Sequence, residues 1–135
     1  TNTYAGGDDM NLNSILIGSE NPDRLVEYYT RLFGDPTWSD GGYTGWAIGS
    51  GAVTVGPHSE VHGSNSQPGR LIWNIESADV KGEFARFKAA GAVVVREPYS
   101  FGGADGDGDG EYQADIATLA DPDGNYFQLV SPMPS

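Results

Sequence analysis

Cysteine is absent from this 135-residue chain, histidine occurs twice, and seven Lys and Arg face 19 Asp and Glu. Without cysteine there are no disulfides, no thiolate metal sites and no cysteine nucleophile, and a reducing, cytoplasmic setting is expected. The shortage of basic residues leaves a formal net charge of −12. That balance argues against nucleic acid and anionic membranes as partners, because phosphate backbones and acidic headgroups are held by Lys and Arg. No apolar run approaches the roughly 20 residues of a bilayer span. Thr1–Asp9 carries neither a basic nor an apolar segment, so no signal peptide is expected. The length suits one domain, which commonly takes about 100–150 residues.

What is present is a pattern stated twice. Residues 1–11 are polar and glycine-bearing and read as a flexible N-terminal arm. Leu12–Gly18 alternates as a strand, with Ile15 and Ile17 on one face and Ser14, Leu16 and Gly18 on the other. Asn21 can cap a helix whose first position is Pro22, where the missing N–H costs nothing. Leu25, Tyr29 and Leu32 then recur at i, i+4, i+7 as one apolar stripe, and Gly34 ends the helix. Short strands follow around Trp38, Trp46–Ile48 and Ala52–Val55, divided by glycine turns. Residues 58–69 read as a polar linker.

The order then restarts. Leu71, Trp73 and Ile75 alternate with Ile72, Asn74 and Glu76, Asp79 can cap a second helix, and Val80, Phe84 and Phe87 repeat the stripe before Gly91. Strands are expected at Ala92–Val95, Asp115–Ala120 and Asn125–Val130, the last two joined by the turn Asp121-Pro122-Asp123-Gly124. The two helix-ending glycines are 57 residues apart. Neither half can bury a sufficient core alone. The expected fold is therefore α+β, a single domain over 12–133. Two βαβββ modules (12–57 and 70–133) form a curved mixed sheet, with helices outside and the free faces lining a cup.

Asn21-Pro22-Asp23-Arg24, Tyr28-Tyr29 and Leu32-Phe33-Gly34 resemble the first helix of the glyoxalase, bleomycin-resistance and extradiol-dioxygenase superfamily, also called vicinal oxygen chelate proteins. Lys88-Ala89-Ala90-Gly91 with Val94-Val95-Arg96-Glu97-Pro98 resembles its second helix and following strand, and Asp121 to Leu129 resembles its last hairpin. The resemblance covers roughly 12–133, nearly the whole chain. It implies four metal-ligand positions on cup-facing strands, held by His, Gln or Glu in the family's enzymes. Three of those positions map to Ser14, Ile72 and Gln128, and the second falls near Thr54 or Val55. Isoleucine and valine cannot ligate, and a hydroxyl or neutral amide is a poor ligand for Zn²⁺ or Fe²⁺. The resemblance thus points to the branch without a metal, whose members sequester an antibiotic as homodimers.

Such binding needs an apolar, aromatic-lined concavity with a few polar groups. Trp38, Trp46, His58, Asn74, Tyr99, Tyr112, Tyr126 and Gln128 are the candidate contacts, the rings stacking an aromatic or cationic molecule and the amides orienting it. Trp73 shares a face with Leu71 and Ile75 and reads as core. The alternatives are a lyase, isomerase or dioxygenase using a divalent metal near His58, and a dimeric scaffold without ligand. His58, Glu60 and His62 stand at i, i+2, i+4 and would point one way in an extended chain, although their neighbours are loop-formers. His58 alone could serve as a base at the cup's rim.

Asp105, Asp107 and Asp109 match the opening of a calcium loop, but the twelfth position holds Ile116 where a bidentate Glu belongs, so any calcium binding would be weak. Negative charge is concentrated in the same region. Glu97–Ser135 contains eight acidic residues and no Lys or Arg, −8 in 39 residues.

Overall fold

A computed structural model describes residues 10–102 and 113–132. Its elements run β1 (Ser14–Ser19), α1 (Pro22–Phe33), β2 (Trp38–Asp40), β3 (Tyr43–Ile48), β4 (Gly51–Pro57), a 3-10 turn at Pro68–Arg70, β5 (Trp73–Glu76), α2 (Val80–Ala89), β6 (Val93–Gly102), β7 (Gln113–Ala120) and β8 (Tyr126–Val130). They form two four-stranded mixed sheets of like order, β1-β4-β3-β2 and β5-β8-β7-β6. In each, the first strand runs parallel to the last and the remaining pairs are antiparallel. This is the α+β arrangement of two βαβββ units that the sequence pattern implies. The edges β1 and β5 are not hydrogen-bonded to each other.

The two helix stripes explain the core. Leu25, Tyr29 and Leu32 of α1 and Val80, Phe84 and Phe87 of α2 are buried in one cluster with Trp46, Val55, Leu119, Phe127 and Leu129 from both sheets. Tyr29 sits at its centre, stacked on Phe33 and close to the rings of Trp46, Trp73 and Phe127. Each helix also closes the other's end. Arg31 Nε donates to Ala90 O and Arg86 Nη1 donates to Leu32 O, both at 3.1 Å, placing a cation on C-terminal carbonyls that would otherwise be orphaned. Asp79 caps α2 as expected, accepting from Gly82 N at 3.0 Å. Asn21 differs: its side chain makes no cap bond, and its own N–H donates instead to Ser19 Oγ at 2.9 Å.

The reason lies in the turn between β7 and β8. Its two carboxylates are buried and reach back to the first half of the chain. Asp123 accepts from Ser19 Oγ at 2.6 Å and pairs with Arg24. Asp121 accepts from Tyr29 Oη at 2.7 Å and from the backbone N–H groups of Asp123 and Asn125 at 2.9 and 3.0 Å. Tyr28 Oη donates to Ala120 O at 2.7 Å. The turn is therefore a polar tie between the two βαβββ units as well as a local reversal.

Burial sets the ionisation of this tie. It pushes the Asp121 carboxyl above its ordinary value, with the Tyr29 and Asn125 hydrogen bonds pulling the other way. It pushes the Tyr28 phenol up to about 12, and the Tyr29 phenol well above its ordinary value. No helix among the described residues is long and apolar enough to cross a membrane.

Candidate functional site

Alternation assigns each strand residue to the helix side or to a helix-free face. Ile17, Trp46 and Val55 belong to the first sheet's core side, as do Trp73, Leu119, Phe127 and Leu129 in the second. The opposite face of the first sheet carries Ser14, Leu16, Gly18, Thr54 and Gly56, paired in register. On the second it carries Asn74, Gln128 and Thr118, opposite one another across β5, β8 and β7. The two faces meet along the open β1/β5 edges. A groove of about 440 Å³ there brings Ser14, Ile72 and Asn74 together. A neighbouring one of about 330 Å³ joins Leu16 to Tyr126.

Rings stand over glycines on the first sheet's free face. A Cβ on Gly45 would collide with the Trp38 indole, and one on Gly56 with the Tyr43 ring. One on Gly18 would lie 2.8 Å from His58 Cβ. These glycines are small so that aromatic side chains can lie flat on the sheet. Trp38 remains 43% exposed and Leu16 58%. On the second sheet Gln128 Nε2 donates to Thr118 Oγ1 at 3.0 Å, which fixes the amide. Trp73 stacks on Phe127 at 5.0 Å and also lines both grooves. Its Nε1 is the one buried side-chain polar atom among the described residues with no hydrogen-bond partner.

Of the candidate contacts, Trp38, Asn74, Tyr126 and Gln128 lie on the free faces or their grooves. Tyr99 lies there too, opposite Ile116. His58 sits on the surface beside Gly18 at the end of β1. Trp46 does not belong: it is 1% exposed, packs in the core and donates from Nε1 to Gly34 O at 3.0 Å. It lies opposite Val53, so alternation turns it toward the helices. Tyr112, Asp105, Asp107 and Asp109 lie outside the described residues.

Tyr43 and Arg96 also lie on the free faces but stand outside the candidate contacts. Tyr43 had a signal, a glycine at the matching position of the next strand, and Arg96 had none in its residue type.

The fold implies a divalent metal between the four central strands, and the side chains present do not fit one. Val55 points into the core, which leaves Thr54 as the second position. Ser14, Thr54, Ile72 and Gln128 then supply two hydroxyls, an aliphatic group and a neutral amide, with no imidazole, thiolate or carboxylate among them. No cluster of three or more His, Cys, Asp or Glu able to hold a metal exists among the described residues. The extended His58-Glu60-His62 arrangement is not formed. Glu60 N donates to His58 Nδ1 at 3.2 Å and Val61 N to His58 O at 3.1 Å, so the chain turns and the three side chains do not align.

Comparison with known proteins agrees with the fold. An uncharacterized protein of Mycolicibacterium smegmatis is 26% identical over 91 residues, 67% of this chain and 76% of its own length. Among solved structures, a conserved domain protein superposes with a TM-score of 0.70 at 21% identity, covering 92% of this chain and 100% of its own. A glyoxalase/bleomycin resistance protein from Albidiferax ferrireducens T118 does so with 0.64 at 18% identity, covering 90% and 98%. These likenesses show the shared fold. A family model, the glyoxalase-like domain, matches residues 14–130, and the chain belongs to that family.

Proposed function

We propose that this protein binds a small aromatic molecule on the helix-free faces of its two sheets, without a metal, and sequesters it rather than transforming it. The observation that carries this reading is the free face itself. Trp38 and Tyr43 lie flat over Gly45 and Gly56, and the amides Asn74 and Gln128 stand opposite each other beside the groove. Apolar rings with few polar groups are what a small-molecule site requires. Where the fold's enzymes would need imidazoles and carboxylates, this chain has Ser14, Thr54, Ile72 and Gln128. Exposed apolar side chains, among them Leu12, Leu16, Leu71 and Phe101, support a homodimer as the working form.

Titration of the ¹⁵N-labelled chain with 2-naphthamide tests the reading. The Trp38 indole and the Asn74 and Gln128 amide signals should shift in a saturable way, equally with and without EDTA. A stoichiometric divalent metal that survives gel filtration and is lost in His58→Ala would overturn it in favour of a metal enzyme. Sedimentation velocity tests the dimer.

A further inference from the structure

Arg96 is aimed at the free face by an irregular strand. Val94 lies opposite Leu119 and packs against the core. Strict alternation would turn Arg96, two residues on, to the same side. The β6/β7 register shifts between Val94 and Arg96, and Arg96 lies opposite Thr118 instead. It shifts again between Arg96 and Tyr99, and Tyr99 lies opposite Ile116. The two irregularities place Arg96 and Tyr99 on one face, although three residues separate them. The guanidinium stands 3.6 Å from the Tyr99 ring centroid. Bulges of this kind re-aim side chains next to binding sites.

Arg96 completes a row across the second sheet. Asn74, Gln128, Thr118 and Arg96 are direct cross-strand neighbours on β5, β8, β7 and β6. The row spans three strand spacings, about 14 Å. It is rich in donors: five N–H groups on Arg96, the Thr118 hydroxyl, and the amides of Gln128 and Asn74. Because Thr118 Oγ1 accepts from Gln128, the hydroxyl keeps its own hydrogen to donate. On one side of the row lie Tyr99, Ile116 and Val130, and on the other Tyr126 and Ala120.

Among the described residues, no carboxylate answers the charge of Arg96. Arg24, Arg31, Arg86 and Lys88 each pair with a carboxylate. Arg70 bonds to Gln67, and Lys81 lies exposed on α2. Arg96 has no carboxylate within ion-pair distance among the described residues, in a chain of net charge −12.

Resting on the reading of these faces as an aromatic-binding site, we propose that the ligand is a planar aromatic carboxylate, its acid group held by Arg96 and the Thr118 hydroxyl. Its ring lies over Tyr126 and the groove. Arg96 takes a carboxylate through two parallel N–H donors, a geometry that a cationic or neutral ligand leaves unused. The acid is thus preferred over its neutral isostere, and a cation at this row is disfavoured.

Three probes of one shape decide the matter: 2-naphthoate, 2-naphthamide and 2-naphthylmethylammonium, titrated calorimetrically into the full-length chain. The naphthoate should bind about tenfold more tightly than the amide, the value of one charge-assisted hydrogen-bonded contact. The preference for acid over amide should vanish in Arg96→Gln and be partly kept in Arg96→Lys. Equal melting temperatures of the variants establish that the fold is intact, and Arg96→Lys carries the test should Arg96→Gln melt early. An amide that binds as tightly as the acid, or an acid preference that survives Arg96→Gln, overturns the carboxylate while leaving aromatic binding in place. Failure of all three probes overturns both.

Discussion

Removing the Asp121 carboxylate should do more harm than any single surface change, because four donors converge on it: the Tyr29 hydroxyl, the Asp123 and Asn125 N–H groups and the Asn125 side-chain amide. In Asp121→Ala the fully buried Tyr29 hydroxyl loses its acceptor, and so do the N–H groups of Asp123 and Asn125. A buried donor left without a partner costs about 1–3 kcal/mol, and water can rescue the partly buried Asn125 N–H, so the expected loss is about 3–5 kcal/mol. Against a total stability of about 5–15 kcal/mol, that is a large fraction. Tyr29→Phe deletes one donor and leaves Asp121 its others, so it should cost about 1 kcal/mol. The double variant then has no stranded hydroxyl, and the two losses should fall short of additivity by at least about 1 kcal/mol.

Urea unfolding followed by tryptophan fluorescence measures all four proteins, with an unchanged slope showing that two-state comparison holds. Asp121→Asn separates charge from bonding. Its amide oxygen can still accept the backbone donors, and it carries no buried charge, so its loss should be about half that of Asp121→Ala. A loss below about 1 kcal/mol for Asp121→Ala, or strict additivity with Tyr29→Phe, would refute the assignment of this turn as the tie between the two units.

The other predictions concern the rings and the phenols. Trp46→Ala should cost about 3–5 kcal/mol by opening a cavity in the core. Trp38→Ala should leave the urea midpoint nearly unmoved and weaken 2-naphthamide binding roughly threefold to tenfold, the worth of one aromatic pair. Gly56→Ala should push the Tyr43 ring off the sheet and weaken the same ligand, and adding it to Tyr43→Ala should bring no further loss in a binding titration. The Tyr28 phenol is raised to about 12 in the folded chain, so between about pH 10 and 12 the folded state holds a proton that the unfolded state has released. Stability therefore falls as pH rises through that window, and the deficit of Tyr28→Phe should shrink with it. A deficit that stays constant from pH 9 to pH 11 in urea titrations would contradict this.

The fold was legible because its signals are periodic and local. The i, i+4, i+7 stripes of Leu25-Tyr29-Leu32 and Val80-Phe84-Phe87 name the core side of each helix without reference to anything distant. Alternation likewise separated Ile17 from Leu16 and Trp73 from Asn74. It failed where the period breaks or a neighbouring strand decides. Trp46 sits among glycines and polar residues, and only its pairing with Val53 shows that it faces inward. Arg96 was invisible because a register shift turns it outward, and such a shift leaves no mark in residue type. The buried tie was half legible. Asp121-Pro122-Asp123-Gly124 reads as a turn from its own chemistry, but nothing local says that Ser19 and Tyr29 supply the other ends of its hydrogen bonds.

Those bonds also set the order in which the protein can be completed. Ser19 and Asp123 are 104 residues apart, and Tyr29 and Asp121 are 92 apart. Contacts so distant along the chain slow folding, since the intervening loop must close before they form. On a ribosome making about 5–20 residues per second, the partner of Ser19 is synthesised roughly 5–20 s after Ser19 itself. Through that interval the first helix exists without the acceptors its tyrosine hydroxyls require. The turn that closes the second sheet is thus also what completes the polar contacts of the first unit.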